Sequence, residues 1–128
     1  MAVGEAKVST VDVRDNAAAA AAALTGEGHA GKTYTLTGPE ALSHAELTAE
    51  LSNALSRAIT FVDVPPEAMR EALSHTPMPA WQAAGLIEDY AHYHRGEAAV
   101  VASGVQDATG TAARPFTAFA RDFAAAFS

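Results

Sequence analysis

The sequence predicts an α/β fold: a small, mostly parallel sheet of about three strands with helices packed on it. Three observations lead there. β-rich runs recur at VSTVDV (8–13), TYTLT (33–37) and ITFVDV (59–64). Each is followed by a stretch with helical spacing, and the borders carry capping residues, glycines or prolines. Strands alternating with helices imply parallel pairing through right-handed crossovers.

After the first β-rich run, Asp15 is placed to cap an alanine helix over 17–24, which Gly26 and Gly28 end. A low-complexity tract is the alternative for seven consecutive alanines, but the cap before them and the glycines after them favour a helix. In GKTYTLTGP, Tyr34 and Leu36 alternate with Thr33, Thr35 and Thr37, and Gly38-Pro39 closes the strand. Ser43 and Glu46 then have capping-box spacing, Leu42 and Leu47 that of a hydrophobic staple, and Leu47, Leu51 and Leu55 mark one helix face.

Beyond the third strand, Pro66 suits a first helical turn, and Met69 and Leu73 form a buried stripe until Pro77 and Pro79 interrupt it. A helix follows from about Ala80 to Arg95. Ser103 and Gln106 repeat the capping-box spacing over a short turn ending at Gly110. Phe116, Phe119, Phe123 and Phe127, three, four and four apart, define a final amphipathic helix. Three strands make a narrow parallel sheet, and such sheets ordinarily have neighbours on both sides. More sheet or a partner is therefore expected.

Composition bounds the function. The chain has 128 residues, enough for one domain, and its 49% apolar content is largely alanine, so the core is expected to rest on Leu, Val, Ile and five Phe. A net charge of −7 without a basic cluster argues against nucleic acid and anionic membrane surfaces. No cysteine is present, which removes disulfides, thiol nucleophiles and cysteine metal sites. No apolar run approaches the roughly 20 residues of a membrane span. The first fifteen residues lack a signal pattern, so the cytoplasm is the expected compartment.

The blocks VDVRDNAAAAAAAL, GKTYTLTGPEALSHAEL and ITFVDVPPEAMREAL, continued by PAWQAAGLIEDYAHYHRGEAA and VQDATGTAARPFTAFARDF, resemble the C-terminal half of NmrA-like proteins. These are atypical short-chain dehydrogenases that include NAD(P)H:quinone oxidoreductase-like enzymes. The resemblance covers nearly the whole chain and lies in the order and spacing of the blocks. Where the family usually reads Gly-Arg-Pro-Pro-Arg, this chain has Gly110-Thr111-Ala112-Ala113-Arg114 and keeps only the last arginine. The family's Gly-x-Gly-x-x-Gly turn has no counterpart, since Gly26, Gly28 and Gly31 sit between a helix and a strand, the wrong order for a pyrophosphate. A Tyr-x-x-x-Lys pair is also absent. The resemblance thus implies the substrate-side half, with no cofactor bound by this chain alone.

Among chemistry-bearing residues, His92 and His94 are about 200° apart on a helix and cannot grip one metal, so no metal site is expected. Leu86, Ile87, Tyr90 and His94 share a broad stripe. Tyr90 and His94 are candidates for a proton relay, or else a core tyrosine and a cation at the helix end. His75, Met78 and Trp81 flank the two prolines. By resemblance this junction borders the substrate opening, where Met78, Trp81 and Ile87 would take an apolar or aromatic guest and His75 would serve chemistry. Asp63, in an apolar strand, is a general base or a brace for the Pro-Pro turn.

Three readings follow. The chain is a freestanding small-molecule-binding domain, promoting a non-redox isomerisation, cyclisation or elimination; or a reductase half completed by a Rossmann-bearing partner; or a regulatory module without ligand. All three expect unpaired strand edges and hence association, most simply as a homodimer.

Overall fold

A computed structural model describes residues 1–127. β1 (Lys7–Val8) pairs antiparallel with β2 (Leu42–Ser43), with Lys7 opposite Ser43 and Val8 opposite Leu42. Six α-helices accompany this ribbon: α1 (Val13–Thr25), α2 (His44–Leu55), α3 (Pro66–Ser74), α4 (Ala80–His94), α5 (Gly104–Thr109) and α6 (Phe116–Asp122). A 3-10 turn, Ala124–Phe127, ends the described chain. α2 packs on α6, α1 on α5, and α3 on α4.

The class is α/β and helix-rich, but the expected three-stranded parallel sheet does not form among the described residues. The runs 33–37 and 59–64 carry no ladder. Their bonds go instead to isolated points: Thr37 Oγ1 accepts from Ala102 N–H, and Val64 N–H donates to the Met1 carbonyl. Ser9 likewise bonds Ala98 and Val100. A parallel strand is held by neighbours on both sides, and these segments lack them.

Local rules read well where side chain and backbone meet within one turn. Ser43 and Glu46 form the full capping box, with Ser43 N–H donating to Glu46 at 2.7 Å and Glu46 N–H to Ser43 Oγ at 3.2 Å. Pro66 opens α3 as expected. Two expectations are corrected. Asp12, not Asp15, caps the alanine helix, accepting from Arg14 N–H at 2.8 Å, so α1 starts at Val13. Ser103 makes no cap bond and donates instead to Asp107.

The buried apolar set is small: Ala2, Val3, Ala19, Ala83, Val105, Ala108 and Ala120. Of the five phenylalanines expected to fill the core, Phe116, Phe119, Phe123 and Phe127 instead cluster at its margin, with ring centroids 4.9 Å apart for Phe119 and Phe123, and Phe61 packs against His44. Close backbone approach is the other packing device. A Cβ on Gly104 would lie 2.1 Å from the Thr35 carbonyl oxygen, so only glycine lets α5 meet the 33–37 run.

The accessible surface is 7856 Å² for 13.2 kDa. A compact monomer of that mass exposes about 6,400 Å². Part of the surplus is apolar: Val62, in the 59–64 run, is 65% exposed, and Val100 60%. The surplus of about 1,400 Å² exceeds the roughly 800 Å² that one partner contributes to an ordinary interface.

Candidate functional site

A partly enclosed cleft of about 310 Å³ lies at the junction of α3 and α4. Its origin is local. Pro66 starts α3, Pro79 at the N-cap starts α4, and Thr76 holds the turn between them by donating to Leu73 O and accepting from Met78 N–H. Ala80, Ala83 and Ala84 then share one face of α4, where their short side chains leave room. Leu73 and Met78 supply the apolar wall, and Arg70 and Ser74 the polar one. The volume is at the lower end of small-molecule sites. A second enclosed space, lined by Thr10, Asp12, Arg114 and Phe116, holds only about 80 Å³.

The structure separates the residues picked from sequence. Met78 lines the cleft. Trp81, 76% exposed, does not line the cleft but an open groove with Gln82, Gly85, Leu86 and Asp89, standing about 100° around α4 from Ala80. Ile87, Tyr90 and His94 continue the cleft-facing stripe beyond Ala83 but do not line the cleft. At 1.5 Å per residue, Tyr90 is about 10 Å and His94 about 16 Å along the helix from Ala83.

No hydrogen bond joins Tyr90 to His94 among the described residues. Tyr90 packs edge-on against Tyr93 at 5.7 Å, and its hydroxyl pKa is raised, first by burial and then by the neighbouring Tyr93 and Asp89. His94 Nε2 reaches the Ala2 carbonyl at 3.2 Å. His75 is exposed, 3.9 Å from Glu71. A phenol–imidazole contact does occur elsewhere, between Tyr34 and His29 Nδ1 at 2.9 Å.

Asp63 braces the N-terminal segment rather than the Pro-Pro turn, accepting from Val3 N–H at 3.1 Å and Gly4 N–H at 2.9 Å. These bonds, the Gly4 one foremost, hold its pKa below the usual carboxylate range. The His44 ring has those of Phe61 and Tyr93 at centroid distances of 5.3 and 6.5 Å. Its Nδ1 is buried without a hydrogen bond, and desolvation, then the nearby N-terminal charge, lowers its pKa. Sequence reading passed over His44, although its place directly after a capping box gave its position.

A second cluster also escaped it. The Asp15 carboxylate is buried and accepts from both the backbone N–H of Arg114, at 2.7 Å, and its guanidinium. Arg14 joins Asp12 to Asp122, which keeps both carboxyl pKa values low, and lies over the Phe123 ring. This network ties α1 to α6.

The glycines do not fit a dinucleotide. Gly26 caps the C-terminus of α1, and Gly28 and Gly31 adopt positive φ in the turn that follows, far in sequence from the next helix N-terminus at His44. No three His, Asp or Glu side chains converge among the described residues. No helix there is long and apolar enough to cross a membrane.

Comparison with known proteins gives the relationships. No protein-family model matches. The chain is 42% identical over 127 residues to an NAD(P)H azoreductase of Xenophilus azovorans, covering 99% of this chain and 44% of that protein. It is 41% identical over 126 residues to the (4-alkanoyl-5-oxo-2,5-dihydrofuran-3-yl)methyl phosphate reductase of Streptomyces griseus, again 44% of the relative. The chain thus spans less than half the length of these curated relatives. Among solved structures, an NADPH-dependent quinone oxidoreductase of Escherichia coli superposes with a TM-score of 0.80 at 24% identity, over 99% of this chain and 45% of that one. A triphenylmethane reductase of Citrobacter sp. gives 0.77 at 26% identity, over 95% of this chain and 42% of that one.

Proposed function

Since the chain is homologous to the NAD(P)H-dependent quinone and azo reductases over the part of their length it spans, we propose that it is the acceptor-binding half of such a reductase. It presents the α3–α4 cleft to an apolar or aromatic acceptor and works with a polypeptide segment carrying the glycine-rich dinucleotide turn. The observation that carries this reading is 42% identity across 99% of the chain to an NAD(P)H azoreductase. The cleft supports it, with Leu73, Met78 and three alanines as an apolar receptacle. The surplus surface, with Val62 and Val100 exposed, supports a covering segment or, in its absence, a second copy as a homodimer.

A cofactor-free isomerase, cyclase or lyase needs a proton-transferring pair at the cleft. Tyr90 and His94 stand about 10 and 16 Å along α4 from it, so the reductase reading is preferred.

The test is complementation. The chain, the separately produced remaining portion of the azoreductase relative, and their mixture are assayed for loss of NADPH absorbance with a quinone acceptor. Oxidation in the mixture alone is expected. Association without oxidation, or acceptor turnover by the chain without NADPH, would refute the proposal, the second outcome in favour of the non-redox reading.

A further inference from the structure

We infer that the α3–α4 cleft selects ligands with an apolar, flat body and an anionic oxygen group such as a sulfonate or phosphate monoester, and that Arg70 is the selecting residue. The inference rests on the reading of this cleft as the acceptor site and adds the chemical class of what enters it.

The chain has six arginines and a net charge of −7, so carboxylates to pair with are plentiful. Five of the arginines hold an acceptor: Arg14 and Arg121 on Asp122, Arg57 on the Phe127 carbonyl, Arg95 on Glu97, and Arg114 on Asp15. Arg70 has no hydrogen bond or ion pair among the described residues, although Glu67 and Glu71 share its helix and Glu71 is drawn to His75. It is also the only charged residue lining the cleft.

A guanidinium is a planar fork of five donors that matches oxyanions two bonds at a time. Against a wall of Leu73, Met78, Ala80, Ala83 and Ala84, the apolar body of a guest is buried while its charge meets the one cation. Ser74, one turn along α3, adds a hydroxyl that donates to Glu71 O in the free protein and can also turn toward an oxyanion. The cleft therefore discriminates by charge as well as by shape, where its alanines alone would accept any apolar guest of the right size.

The test uses three probes with one aromatic body: 2-naphthol, 2-naphthalenesulfonate and 2-naphthyl phosphate. Each is titrated into the full chain, without cofactor or partner, by calorimetry. Both anions are expected to bind about fivefold more tightly than the naphthol, as befits a partly exposed ion pair, with the margin shrinking as salt rises. Arg70→Gln should erase the margin, Arg70→Lys should keep part of it, and Arg57→Gln should leave it intact. Ala84→Phe, which fills the cleft, should weaken all three.

Equal affinity for the three probes, a preference that survives Arg70→Gln, or no binding of any probe overturns the inference. A larger margin for the phosphate identifies charge number as the criterion, and equal margins identify the oxyanion fork. Because no reductant enters the assay, failure of the complementation experiment leaves this result standing, and the converse also holds.

Discussion

Replacing Arg114 by methionine should destabilise the protein more than replacing Asp15 by asparagine, although both remove the same ion pair. The difference follows from burial. The Asp15 side chain is 3% exposed, whereas Arg114 is 43% exposed. Losing Arg114 leaves an ionised carboxylate inside the protein with a single backbone N–H, and removing one partner of a buried pair costs about 3–5 kcal/mol. The half-solvated arginine screens the pair already, so about 2–3 kcal/mol is expected here.

Losing the Asp15 charge strands no ion, because the guanidinium turns to water and asparagine Oδ1 still accepts the Arg114 N–H. About 1 kcal/mol is expected, the worth of an ordinary hydrogen-bond change. Urea unfolding followed by circular dichroism resolves the two. With a slope of about 1.5 kcal/mol/M, the midpoint should fall by about 1.3–2 M for Arg114→Met and by less than 1 M for Asp15→Asn. The double variant should lie near Asp15→Asn, since the stranded charge is gone. A larger loss for Asp15→Asn, or additive losses in the double variant, would refute the reasoning.

Two further predictions concern packing and pH. Gly104→Ala forces a methyl onto the Thr35 backbone and should cost about 3 kcal/mol or more, the upper range of overpacking. Gly85→Ala, with open space around its added Cβ inside α4, should gain about 0.5–1 kcal/mol; thermal unfolding of both variants checks the pair. His44 has a lowered pKa in the folded state, so the unfolded chain binds its proton more readily. Stability from this group is present above about pH 6.5, the ordinary histidine value, and is lost as pH falls toward the lower folded value. His44→Phe should shrink the difference in urea midpoint between pH 8 and pH 5.5, and an unchanged difference would remove His44 as its source.

What the sequence made legible were interactions closed within one helical turn. Ser43 with Glu46, Pro66 at the start of α3 and the bounds of α4 all depend on residues a few positions apart. Misread features depend on residues far apart. Asp15 fits a cap by spacing alone, but its partner is Arg114, 99 positions away, which frees Asp12 to cap α1. The 33–37 and 59–64 runs have strand composition, yet no ladder forms along them among the described residues. The cleft was half legible. The prolines and Met78 marked the junction, but Arg70 reads as an unremarkable surface residue until every other arginine is seen to be occupied. Trp81 drew attention by its chemistry, and helical geometry turns it about 100° from Ala80, out of the cleft and into an open groove.

The surplus surface has a thermodynamic consequence. Whatever covers Val62 and Val100 binds the folded chain and not the unfolded one, so the melting temperature becomes a function of the covering species' concentration. At a hundred times the dissociation constant the gain is about 2.7 kcal/mol, comparable with the whole effect of the Asp15–Arg114 pair. A dilution series of melting curves therefore measures occupancy of that face directly, and a flat series identifies a chain that stands bare.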